Sequence, residues 1–121
     1  MSVTATVWAV GAALSAAGLR LAVRDGDITP PVIYLRIGQV TDSGQVLAGG
    51  TVTTIYAFVI PIRGIDNLDG DAKLLDRALV ALAPLSSATL TATETSVTVR
   101  NDTWPCYRFD VPILETSPLT A

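Results

Sequence analysis

The chain has 121 residues, half of them apolar and 16% charged, with one cysteine, no histidine and a net charge of -3. That length supports one core, the apolar content excludes intrinsic disorder, the lone Cys106 excludes an internal disulfide, and the missing histidine excludes Ser-His-Asp and Cys-His catalytic sets. The apolar residues exceed the needs of a small core, and the surplus goes either to a membrane segment or to subunit interfaces.

Residues 2–19 carry no formal charge. They are alanine, serine, threonine and glycine more than leucine or phenylalanine, and no basic residue follows Met1. Neither a spanning helix nor a signal peptide is expected there, and the composition points to a cytosolic compartment. From residue 3 to about residue 22, Val3, Val7, Val10, Leu14, Ala17 and Leu21 recur at three and four positions, predicting an amphipathic helix with Trp8 on its other side. Ser2 or Thr4 is its expected cap, and Arg20 and Arg24 fall near its negative end. Residues 24–31 read as a turn ending in Pro30-Pro31, which forces extended backbone.

A strand is expected over 32–37, then a polar, glycine-bearing loop over 38–50, then a long strand over 51–62. In that strand Val52, Thr54, Tyr56, Phe58, Ile60 and Ile62 share one face, and Thr53, Ile55, Ala57 and Val59 the other. Both faces are apolar towards its end, as in a strand covered on two sides, by a helix and by a neighbouring subunit. After a link over 64–71, Leu74, Leu75, Ala78, Leu79 and Leu82 predict a second helix, capped by Asn67 or Asp69 and stopped by Pro84. A threonine- and valine-rich strand over 89–100 turns at Asn101-Asp102 and pairs with a strand over 105–113. Residues 1–114 form the expected domain and 115–121 a loose tail.

The expected fold is α+β: a mostly antiparallel four-stranded sheet with two helices packed on it, in the order α-β-β-α-β-β. Two open sheet edges need covering, and a partner subunit is one way to cover them. Asp25 with Asp27, and Asp66, Asp69 and Asp71, lack the ligand spacing of a calcium loop and read as caps and turn residues. No cofactor, metal or catalytic residue is expected. Basic residues are scattered, so specific nucleic-acid binding is not expected either.

The Ala16-Ala17-Gly18-Leu19 end of the first helix, the entry Pro30-Pro31-Val32-Ile33-Tyr34-Leu35 and the strand Tyr56-Ala57-Phe58-Val59-Ile60-Pro61 leading to the second helix resemble the tail terminator proteins of long-tailed bacteriophages. The resemblance spans most of the chain and rests on element order. It implies a non-catalytic virion protein, made in the host cytoplasm, forming a homohexameric ring that caps the tail tube. Its partners would be the tail tube protein and the head-tail connector, with DNA passing through the ring. Expected interface residues are Trp8, then Gln39, Val40, Thr41, Asp42, Ser43, Gln45, Val46 and Leu47 of the 38–50 loop, then Tyr56, Phe58 and Trp104, the last equally readable as a core lid. Alternatives are another head-tail connector or neck protein, or a monomeric or dimeric α+β domain that binds a small hydrophobic ligand. The ligand binder needs one concave pocket with a few polar groups, the ring subunit apolar patches on opposite sides.

Overall fold

The computed structural model describes residues 3–22, 28, 30–42, 51–61 and 68–115. The elements run α1 (Val3–Ala16), β1 (Leu21–Ala22), β2 (Val32–Asp42), β3 (Thr51–Ile60), α2 (Leu68–Leu82), β4 (Ala92–Val99) and β5 (Asp102–Glu115). The class is α+β, with five strands in the order β1-β2-β3-β5-β4. β1 is parallel to β2 and every other pair is antiparallel.

The fifth strand corrects the four expected, and it arises where the first helix was drawn too long. Helical spacing continues through Ala17 to Leu21, but Gly18 takes φ 79° and ends the helix. The Leu19 amide then reaches back to the Leu14 carbonyl at 3.1 Å and the Gly18 amide to Ser15 at 2.9 Å, the two bonds of a Schellman cap. Leu19 and Leu14 both enter the core beside that cap. Freed from the helix, Leu21 and Ala22 pair with Ile33 and Tyr34.

A second correction concerns the loop drawn over 38–50, since β2 continues through Gln39, Val40, Thr41 and Asp42, paired with Thr54, Thr53, Val52 and Thr51. Gly38 is a bulge and not a loop start: the register shifts between Ile37 and Gln39, and the Tyr56 ring occupies the space a Cβ at Gly38 would take. Likewise β5 begins at Asp102, ahead of the expected Pro105, and runs to Glu115, where a loose tail was expected. Residues 116–121, Ser43–Gly50, Asn67 and Ile62 lie outside the described residues. Asp69 is in the first turn of α2, bonded to Lys73 at 3.1 Å, and is not the cap.

The two faces of β3 divide as expected. Ile55, Ala57 and Val59, with Ile33 and Leu35 of β2 and Phe109 and Val111 of β5, pack against Val10 and Leu14 of α1 and Ala78 and Leu82 of α2. Each valine, leucine, isoleucine and phenylalanine among them contributes about 1.5–3 kcal/mol when fully buried, so this interface dominates the stability. On the opposite face Val32, Tyr34, Ile60, Val99 and Cys106 form a smaller buried cluster, joined by Ala22, Ile28, Phe58, Val97 and Trp104.

Candidate functional site

The fourteen residues of α1 include no charged side chain. One side, Thr6, Val10, Gly11 and Leu14, is buried. The other presents Ala5, Ala9, Ala12 and Ala16 with Trp8, which is 73% exposed. A solvent-facing helix of a globular domain ordinarily carries charge on its outer side. Here the outer side leads instead into a groove of about 510 Å³ between α1 and the β1–β2 edge of the sheet. Val3, Val7 and Trp8 of α1 wall one side, and Leu21, Leu35 and Ile37 of the strands the other. Its polar side chains are the hydroxyls of Thr4 and Ser15. Ile37 stays 52% exposed in this apolar setting.

The open edge of β2 lies beside the groove. β1 covers β2 only at Ile33 and Tyr34, so from Ile37 to Asp42 no strand flanks this edge among the described residues. Arg36 of β2 faces away from the groove, onto the Tyr34 ring. A smaller cleft at the end of α1 is lined by Gly18, Arg20, Pro31 and Arg77. Its Arg77 guanidinium donates to the Ala17 carbonyl at 2.7 Å, so this cation acts as a cap on the negative end of α1.

No family model and no curated protein matches this sequence.

The interface residues expected from sequence separate into three places. Trp8 stands at the groove. Gln39, Val40 and Thr41 lie on the exposed extension of β2 with Asp42 at its end, and Ser43, Gln45, Val46 and Leu47 fall outside the described residues. Tyr56, Phe58 and Trp104 belong to the sheet face away from the helices and are half-buried. There Phe58 meets Tyr34 and Tyr56 at ring-centroid distances of 6.1 and 6.2 Å. Arg108 lies 4.8 Å from the Tyr56 ring centre and binds Asp110 at 2.8 Å, while Arg36 donates to the Tyr34 hydroxyl at 2.9 Å. These arginines brace the aromatic side chains of the face. Trp104 packs with Cys106 and Val97 in the second core cluster, in keeping with the lid reading.

Sequence reasoning missed Leu21, Leu35 and Ile37 as site residues, because the groove exists only once Gly18 turns the chain back beside β2. The missing charge of α1 was the available signal. Other exposed large apolar residues are Leu68, Leu79 and Val80 on α2, and Val40 and Leu114 on β2 and β5. Among the described residues no three His, Cys, Asp or Glu side chains gather as metal ligands, and no helix is long and apolar enough to cross a membrane.

Proposed function

We propose that this protein is a structural subunit that acts by assembling with copies of itself, in the manner of a phage tail terminator. The observation that carries the assembly reading is the uncharged outer side of α1, where exposed Trp8 stands over an open apolar groove. Contiguous apolar surface of this kind is uncommon on a monomer, and tryptophan is enriched at the energetic centres of interfaces. Further exposed apolar residues on α2, away from the groove, suit a subunit that touches more than one neighbour.

The narrower reading rests on the sequence resemblance: a hexameric ring in the virion, capping the tail tube and meeting the head-tail connector. A neck or connector protein would use the same surfaces. A second reading, binding of a small hydrophobic molecule, is favoured by the groove itself, whose volume and two hydroxyls fit a small-molecule site.

Light scattering on the purified protein and on Trp8→Glu separates them. The assembly reading expects a wild-type mass several times the 12.6 kDa chain and a single-chain mass for the variant. A wild type that stays a single chain at every concentration, yet binds an apolar fluorescent probe that Trp8→Glu does not, favours the ligand reading.

A further inference from the structure

We infer that two copies of this chain pair antiparallel along the free edge of β2, about a two-fold axis at Val40, with both α1 helices on one side of a joined sheet. The inference rests on the assembly reading and not on the ring, and it names the surface and the register of the contact.

Backbone and side chains point to the same place. From Ile37 to Asp42 no strand flanks β2 among the described residues, so its outer amides and carbonyls are open to pairing. Trp8, Ile37 and Val40, at 73%, 52% and 45% exposure, stand along this rim and are three of the seven large apolar side chains left exposed among the described residues. In a regular strand Ile37 and Val40, three positions apart, would take opposite faces. The bulge at Gly38 changes that: Ile37 pairs with Ile55 and Val40 with Thr53, both buried on the helix side, so both apolar residues lie on the face that α1 covers.

An occupant of this rim must supply extended backbone and apolar side chains, and must bring no charge that the groove would bury unpaired, because the groove lining holds no ionisable residue. The β4 edge does not qualify. Its Glu94 pairs with Tyr107 on the helix side, and none of the exposed large apolar residues belongs to it. The β2 rim meets each condition itself: Ile37 to Thr41 are uncharged, and Arg36 faces the other way onto the Tyr34 ring. A second copy of the same rim is therefore the occupant the chain provides, in a contact that uses one surface twice.

The register follows from the faces. An axis at Val40 sets Val40 against its own copy, Gln39 against Thr41 and Asp42 against Gly38. Gln39 and Thr41 share the face away from the helices, through their partners Thr54 and Val52, so like faces meet and the two Asp42 carboxylates stay apart. Moving the axis one residue either way opposes Val40 to Gly38 or to Asp42. β1 does not obstruct the pairing, since it meets β2 at Ile33 and Tyr34.

Cysteine cross-linking tests the register. Under mild oxidation Val40→Cys should give a disulfide-linked dimer, because directly opposite residues of an antiparallel pair hold their Cβ atoms about 4.5–5.5 Å apart, close to disulfide reach. The native Cys106 is buried, and Ser96→Cys, exposed in the middle of β4, should stay uncross-linked. Val40→Lys should keep the wild-type far-UV spectrum and fall to the 12.6 kDa single-chain mass in light scattering, since it opposes two ammonium groups across the axis. No cross-link in Val40→Cys, equal cross-linking of Ser96→Cys, or wild-type mass in Val40→Lys overturns the inference while leaving assembly standing. A wild type that is itself a single chain at every concentration overturns both.

Discussion

Gly18 decides where α1 stops, and its backbone conformation disfavours any residue with a Cβ. Its φ of 79° is left-handed, and an added Cβ would sit 2.6 Å from the Arg77 guanidinium that caps the helix. Gly18→Ala therefore combines backbone strain with displacement of Arg77, and is expected to lower stability by about 1–3 kcal/mol, read as a lower urea midpoint at unchanged m. Cys106 offers a second residue-level test. It is buried, and burial pushes its thiol from 9.0 up to about 11, against a smaller opposing pull from Arg108. The unfolded thiol ionises first as pH rises, so its contribution to stability is complete below pH 9 and is lost between pH 9 and 11. At about 1.4 kcal/mol per unit, the loss is on the order of 2–3 kcal/mol. Denaturation curves across that window should fall more steeply for wild type than for Cys106→Ala; parallel curves would contradict the burial argument.

Among the elements, the β4–β5 hairpin shows how a turn sets register. Val99 pairs with Asp102, leaving Arg100 and Asn101 as a two-residue loop with φ of 50° and 69°. Two successive positive φ values define a type I′ turn, whose twist matches that of the strands. Asparagine is at home there, arginine is not. Arg100→Asn should raise stability by roughly 0.5–1 kcal/mol, seen as a higher urea midpoint, and no gain would mean that Arg100 makes a compensating contact. In β2 the bulge at Gly38 plays the corresponding part. It lets the strand continue to Asp42 instead of ending at Ile37, and so lengthens the open edge beside the groove.

For the whole molecule, the central fact is a layer of helices on one face of the sheet that leaves one side of α1 and both sheet edges without cover among the described residues. If copies of the chain provide that cover, melting temperature should rise with protein concentration, because association stabilises the folded state by mass action. In Trp8→Glu that dependence should vanish while the melting temperature at low concentration is kept, since Trp8 is 73% exposed within the single chain. A concentration-independent wild type would remove the thermodynamic basis of the assembly reading.

Period and turn chemistry made much of this legible in the sequence alone. The α2 repeat, the alternation of β3, the β4–β5 pairing and the uncharged α1 follow from residue spacing and side-chain type, which are local properties. Tertiary structure decided the rest. Whether Leu21, past the Gly18 stop, forms a strand depends on β2 arriving beside it, where Leu21 pairs with Ile33 and Ala22 with Tyr34. Whether Gly38 opens a loop or forms a bulge depends on the Tyr56 ring from the next strand. The groove needed both outcomes, because its two walls come from segments that meet only when the chain reverses at Gly18 and β2 stays extended past Leu35. Spacing along one segment carries no information about which distant side chain will fill the space beside a glycine.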